Sequence, residues 1–462
     1  MRRFFLHRWN RIVGSSPSTM KKFVLRITAT AKEPETVFRL NRQFHSISIE
    51  QNELIYNQMI LKLHGSKLRH LKLKKVFIQC LEGLLEHSPL LEYIELSQVS
   101  LISIPMSTKK VPLPNLKHIK LEDSSDEIFS LFTDTPNLTT LEIINYENRE
   151  ITMKFIMQHP SIHSFSIGYR NLESFFQSED VLSFPFRLKK LDFAGFPTIV
   201  TANEECLKKF LKLHAQTLEE IRLPHIISNE ICQIVFTLPN LKVLTFNVSS
   251  LEQEKSFYCC MMPLEKITKL RLVGKFPKHE IGKLFMANFP NVITLNLKHL
   301  KCSVWFMKFM HKISESQKNI QHLKISNFFA GASPNLQFKN LKSLFVYNSQ
   351  NIAVWKNFIQ THSSTLEEII VDKIHEEGKF KKNDIEDLLD LPKIRKLSIR
   401  GDKKSIDDIY SVIKVDYKHL KEVNLRILVP KNYGLSIDKK IIFPSDKNFW
   451  WPQKCDKFIE EE

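Results

Sequence analysis

The chain has 462 residues, and its 67 Lys and Arg against 50 Asp and Glu give it a net charge of +17 at neutral pH. Its seven cysteines form no CxxC motif and no apolar run is long enough to span a bilayer, so neither a disulfide framework nor a membrane protein is indicated. No HExxH, Gly-rich phosphate loop or GxSxG occurs, and we expect no catalytic site, metal or cofactor.

Residues 1–43 form a basic N-terminal segment whose first acidic residue is Glu33. A secretory signal is disfavoured, because the apolar run breaks at His7 and Arg8. A mitochondrial presequence fits the composition, which is rich in arginine and poor in acids. A third interpretation is that the segment packs as an N-terminal cap on the fold that follows it.

Residues 4–16 carry a more specific pattern, with Trp9 in an Arg-Trp-Asn context. They resemble the last helix of an F-box, as found in insect-type F-box proteins. The resemblance implies that a Skp-family adaptor would contact the apolar residues Phe5, Leu6, Trp9 and Ile12. The leucine-proline element and earlier helices of an F-box do not precede this helix. We therefore expect either an upstream natural start or a copy that has lost adaptor binding.

Between residues 44 and 426 one short phrase recurs sixteen times: an apolar residue, two mostly polar ones, an apolar, a polar and an apolar residue. Leu68–Leu73 and Leu116–Leu121 are examples. The mean spacing is about 25 residues, inside the range of one repeat class. The phrases begin at Phe44, Leu68, Leu91, Leu116, Leu138, Ile162, Leu188, Leu218, Leu241, Ile267, Val292, Ile320, Leu341, Leu366, Ile394 and Leu420.

The phrase is the strand signature of a leucine-rich repeat. Helical stretches such as residues 204–214 lie between the phrases, with apolar residues at three-to-four spacing. The sequence therefore predicts an α/β leucine-rich-repeat solenoid, a horseshoe with a parallel sheet on its concave side and helices on its convex side. Val76 and Val99 stand where many such repeats have asparagine, so the turn after the strand needs another hydrogen-bonding solution.

Basic side chains project from many polar strand positions, although acids such as Glu142 and Asp192 interrupt them. They form either a solvated face or a concave surface that attracts an acidic or phosphorylated protein. A basic nucleic-acid-associated solenoid is disfavoured, because no known nucleic-acid module accompanies the charge. The predicted concave basic strip consists of Arg69, Lys72, Lys117, Lys120, Lys189, Lys190, Lys269 and Arg271.

The period is lost after residue 426, and residues 427–462 are predicted to form a C-terminal cap and tail. The two tryptophans Trp450 and Trp451 would cover the last repeat. An aromatic anchor for a partner is the alternative role for this pair.

An F-box followed by leucine-rich repeats resembles the substrate receptors of SCF-type cullin-RING ubiquitin ligases. The resemblance implies a non-catalytic, cytoplasmic or nuclear recognition subunit. Its partners would be a Skp-family adaptor, a cullin and a protein target held on the concave face. The alternative is a leucine-rich-repeat scaffold or inhibitor that has no link to ubiquitin.

Overall fold

A computed structural model of the chain divides it into two compact units, Met1–Ile267 and Thr268–Glu462. The F-box-like residues Phe5, Leu6, Trp9 and Ile12 lie outside the described part of the chain, as do residues 443–462. The structure describes residues 24–28, 44–50, 61–78, 81–101, 111–146, 148–168, 175–176, 179–194, 204–223, 228–248, 263–275, 286–301, 304–326, 336–349, 352–374, 390–401, 422–427 and 438–442.

The first unit contains a parallel sheet whose strands pair with one another in chain order. A separate two-stranded parallel sheet pairs β4 (Phe77–Ile78) with β6 (Ser100–Leu101). The strands of the main sheet are β1 (Val24–Thr28), β2 (Ser46–Glu50), β3 (His70–Lys74), β5 (Tyr93–Ser97), β7 (His118–Glu122), β8 (Thr140–Ile144), β9 (Ser164–Gly168), β10 (Lys190–Ala194), β11 (Glu220–Arg222) and β12 (Val243–Asn247).

Helices lie in several of the crossover connections that join successive parallel strands of the first unit. Asn148 and Ser228 cap the third and fifth helices, since their side-chain oxygens accept hydrogen bonds from the backbone N–H groups of Ile151 and Ile231. The helices are α1 (Leu81–Leu85), α2 (Ile128–Leu131), α3 (Arg149–Met157), α4 (Glu204–His214) and α5 (Asn229–Phe236).

The second unit repeats the arrangement, and its strands from β13 to β19 also pair in parallel and in chain order. The last strand, β20 (Asp438–Ile442), pairs antiparallel with β19. The helices are α6 (Val304–Ser316) and α7 (Ile352–Thr361). The other strands are β13 (Lys269–Lys275), β14 (Thr294–Lys301), β15 (His322–Ser326), β16 (Ser343–Ser349), β17 (Glu368–Ile374), β18 (Lys396–Gly401) and β19 (Glu422–Ile427).

Each of the sixteen predicted phrases coincides with a strand that begins two residues after its first apolar residue. Leu68, Leu71 and Leu73 of one phrase are fully buried, because alternate side chains of a strand point to opposite faces. This register confirms the α/β leucine-rich-repeat solenoid. One strand, β1, lies within the segment assigned to the N-terminal cap, so the sheet starts one strand earlier than the phrases indicate.

Asparagine side chains do form hydrogen bonds between repeats, but in the turn before the strand and not in the turn after it. Each of these asparagines stands in the turn before a strand and donates to a carbonyl of the preceding repeat. Asn115 Nδ2 lies 3.0 Å from the Pro89 oxygen, and Asn137 Nδ2 lies 2.7 Å from the Pro114 oxygen. Asn240, Asn319 and Asn340 repeat the contact with Gln216, Pro290 and Lys318. The ladder satisfies backbone acceptors that the strands leave unpaired.

The turn after the strand is satisfied in a second way. Ser124 occupies the usual asparagine position, where its hydroxyl accepts from the Val99 N–H at 3.1 Å and lies 2.9 Å from the Glu122 carbonyl oxygen. The residue before that position has a positive φ in four successive repeats, which lets the chain leave the strand sharply. These residues are Lys75, Gln98, Asp123 and Asn145.

Histidines are buried at the ends of several helices. His214 is fully buried, and its Nδ1 accepts from the Leu188 N–H at 3.3 Å. Burial, followed by the charge of Arg187, lowers the pKa of His214 to about 4. In the second unit His362 Nε2 accepts from the Phe338 N–H at 2.9 Å, and burial lowers its pKa as well. Neutral imidazoles therefore hold the turns that lead into β10 and β16.

Candidate recognition surface

The strand residues that alternate with the core side chains form a sheet face opposite the core in each unit, and most of them are polar. It is the face that the sequence predicts to be concave. In the first unit the third position of successive phrases aligns His70, Tyr93 and His118. The fifth position forms a parallel row of Lys72, Glu95, Lys120, Glu142, Ser166, Asp192 and Arg222. Charges of opposite sign therefore stand on neighbouring strands.

Glu95 is the centre of this face. Its carboxylate lies 2.6 Å from Lys72 Nζ and 2.9 Å from Lys120 Nζ, and the Tyr93 hydroxyl donates to it at 2.8 Å. Burial alone would raise the pKa of Glu95, but the hydrogen bonds from Lys72, Lys120 and Tyr93 outweigh it and lower the pKa to about 2. Burial and the bond to Glu95 raise the pKa of the Tyr93 hydroxyl. The cluster holds four side chains in fixed positions at neutral pH.

An aromatic row crosses the same strands. The Tyr93 ring centroid lies 6.1 Å from that of His70 and 4.6 Å from that of His118. Lys72 Nζ lies 5.4 Å from the Tyr93 centroid, within the range of a cation–π contact. His118 Nε2 lies 3.0 Å from Glu142, and the hydrogen bond from His118 holds the pKa of Glu142 below its usual value. Ring and charge contacts thus link four strands, β3, β5, β7 and β8, at the surface.

The cations of the predicted basic strip are largely neutralised in the first unit. Arg69 pairs with Glu92 and Lys190 with Glu220, in addition to the two lysines on Glu95. Three acids that the predicted strip leaves out stand close to its cations: Glu92 just before β5, Glu95 on β5 and Glu122 on β7. Other ion pairs on this face join Lys74 to Glu50, Arg222 to Asp192 and Lys242 to Glu219. The face of the first unit is therefore zwitterionic.

The remaining strip residues have different surroundings. Lys117 and Lys189 are exposed and form no ion pair with any residue that the structure describes. Lys269 and Arg271 belong to β13 of the second unit, where Lys269 is exposed and Arg271 is half-buried. The eight residues consequently do not form one uniform basic surface. Their role in binding a partner stays a prediction.

A groove of about 500 Å³ opens on the face over β2, β3, β5 and β7. Lys72, Lys74, Lys75, Glu95 and Glu122 supply much of its lining. Because cations and carboxylates alternate there, the groove suits a polar surface that carries both signs of charge better than it suits a free anion.

The described residues hold no cluster of His, Cys, Asp or Glu with the geometry of a metal site. Within the same ranges, no helix combines the length and apolar character needed to cross a bilayer.

No protein-family model matches this sequence, and no curated protein matches it. The chain is similar to the solved structure of the TLR13–ssRNA13 complex, with 17% identity and a TM-score of 0.36 over 87% of this chain and 54% of that one. It thus spans about half the length of the TLR13 chain. The leucine-rich repeat domain of APL1B has 12% identity and a TM-score of 0.20, over 79% and 84% of the two chains. The fold assignment rests on the strand register described above.

Proposed function

We propose that this protein is a non-catalytic recognition subunit that holds a protein partner on its polar sheet face. The observation that carries the proposal is the Glu95 cluster, in which charged and aromatic side chains are fixed before any partner arrives. Pre-ordered side chains lose little conformational entropy on binding, and tyrosine and arginine contribute strongly to protein interfaces. Arg69, one residue before β3, and Tyr93 on β5 supply both residue types.

The more specific form of the proposal is a substrate receptor of an SCF-type ubiquitin ligase. It is supported by the resemblance of residues 4–16 to an F-box helix and by their position ahead of the repeats. In this form Phe5, Leu6, Trp9 and Ile12 contact a Skp-family adaptor, which links the chain to a cullin. The repeats then only have to position a target near the ligase, in the cytoplasm or nucleus. They need no catalytic chemistry of their own.

A paired pull-down from native cell extract tests this form. One bait is the full chain and the other lacks residues 1–23, because β1 begins at Val24 and its pairing with β2 should be kept. Mass spectrometry should recover adaptor and cullin with the full chain only. A full-chain Trp9→Ala bait should lose both proteins while its circular dichroism stays unchanged. Failure of the full chain to recover adaptor or cullin removes the ubiquitin link and leaves the recognition scaffold.

A further inference from the structure

The polar sheet face of the second unit differs from that of the first, because apolar side chains occupy its centre. Phe345 on β16 and Ile370 on β17 are register partners at the fifth position of their phrases, and Tyr347 follows on β16. All three are half-buried although they lie on the face that elsewhere carries charges. We call Phe345, Tyr347 and Ile370 the apolar patch.

Three exposed cations stand on or next to the strands at the apolar patch. Lys324, the register partner of Phe345 on β15, is exposed, and its Nζ lies 5.9 Å from the Phe345 ring centroid. Lys342 and Arg395 are also exposed and stand one residue before β16 and β18. None of these three cations forms an ion pair within the described residues, in contrast to the lysines around Glu95.

The acids at the patch are Glu368 and Asp372 on β17 and Glu367 just before it. Glu368 accepts from Lys396 Nζ at 2.6 Å and from the Ser343 hydroxyl at 3.0 Å, so its charge is compensated. Glu367 precedes β17 between Lys342 and Arg395 and is less exposed than either. Protein interfaces often have an apolar centre that buries an anchor side chain of the partner. Charged residues around the centre attract a partner of opposite charge.

We propose that this surface binds an acidic peptide segment that carries an apolar anchor residue. The anchor packs on Phe345 and Ile370, and carboxylates on either side pair with Lys324, Lys342 and Arg395. The inference deepens the proposed recognition function and rests on it. It places an acidic segment of the target on β15 to β18 of the second unit, in addition to any contact of the target with the Glu95 cluster.

A peptide fits this surface better than single-stranded nucleic acid does. Nucleic acid binds through aromatic rings whose faces are free for base stacking and through cations that follow a phosphate backbone. Here the ammonium group of Lys324 is positioned over the Phe345 ring, so this face of the ring is already covered. Ile370 offers an aliphatic contact that suits a Leu or Phe side chain.

Fluorescence anisotropy on the full chain tests the inference. The probe is a labelled twelve-residue peptide of Asp and Glu with a central Leu-Phe pair, and its control has Ser-Ser in place of that pair. A labelled twelve-nucleotide oligouridine reports nucleic-acid binding. The protein variant is Lys342→Glu with Arg395→Glu. Its matched control is Lys117→Glu with Lys189→Glu, which reverses two exposed, unpaired cations at the equivalent repeat position of the first unit.

We expect the Lys342→Glu and Arg395→Glu pair to weaken peptide binding about tenfold or more, and the control pair to change it less than about twofold. The Ser-Ser peptide should also bind at least about fivefold more weakly, since it lacks the anchor. No binding at about 1 mM peptide, or equal losses in both protein variants, overturns the inference. Tighter binding of oligouridine that the same variant abolishes also overturns it. Neither result bears on adaptor recovery, which depends on residues 1–23.

Discussion

Replacing Glu95 by Gln should destabilise the first unit more than the loss of any single exposed ion pair. The pKa of Glu95 falls from 4.5 to about 2, and about 1.4 kcal/mol per pKa unit sets an upper limit of ~3 kcal/mol. Solvent reaches part of the cluster and screens it, so the contribution is smaller than this limit. Exposed pairs contribute about 0.2–1 kcal/mol each, and three partners give an expected loss of ~1–2 kcal/mol.

The pH dependence of the Glu95→Gln effect is the sharper readout. Because the pKa of Glu95 is lower in the folded state than in the unfolded state, its stabilisation is present above pH 4.5 and is lost as the pH falls towards 2. Urea unfolding of wild type and variant should therefore differ at pH 7 and converge near pH 2. Amide hydrogen exchange should locate the weakening in β3, β5 and β7.

Glu219→Gln is the matched control, because Glu219 lies on the same face but has the exposed Lys242 as its ion-pair partner. It should leave the urea midpoint unchanged. Equal losses in both variants, or a Glu95→Gln loss that is the same at every pH, would show that the cluster does not act as a charged centre.

Two further predictions concern the interior. Because the pKa of His214 lies near 4 in the folded state, the free energy of unfolding should fall as the pH drops from 6.5 to 4. The His214→Gln variant should lose at most ~3 kcal/mol of this pH dependence. Urea midpoints of the two proteins that change with pH in parallel would contradict the prediction. Gly168→Ala should cost ~1–3 kcal/mol, because the added Cβ would lie 2.8 Å from the Ile144 Cα; an unchanged Tm would contradict it.

The strand register was predictable because the inward-facing residues of each strand must be apolar, which repeats one pattern in the sequence. All sixteen phrases match strands. The additional strand β1 escaped this pattern, because Lys22 stands where its phrase would begin with an apolar residue. Leu25 and Ile27 keep the other two apolar positions, so a search that tolerated one polar residue would have found it.

The charge pattern of the face was harder to predict than the fold. Lys72 and Glu95 are 23 residues apart in sequence, and only the parallel register brings them within 2.6 Å. Counting basic residues on each phrase separately gave a strip of positive charge, whereas aligning the fifth positions would have shown alternating signs. The apolar residues Phe345 and Ile370 were likewise visible only as neighbours across two strands.

The alternation of Lys72, Glu95, Lys120 and Glu142 has a period of two repeats. Deleting the single repeat that carries Glu95 would place Lys72 beside Lys120, and duplicating it would place two glutamates side by side. Like charges on directly opposed strand positions are destabilising. Removing or copying two adjacent repeats together would not place like charges side by side in this row. This stretch of the gene should therefore tolerate gain or loss of repeats in pairs and resist changes in odd numbers.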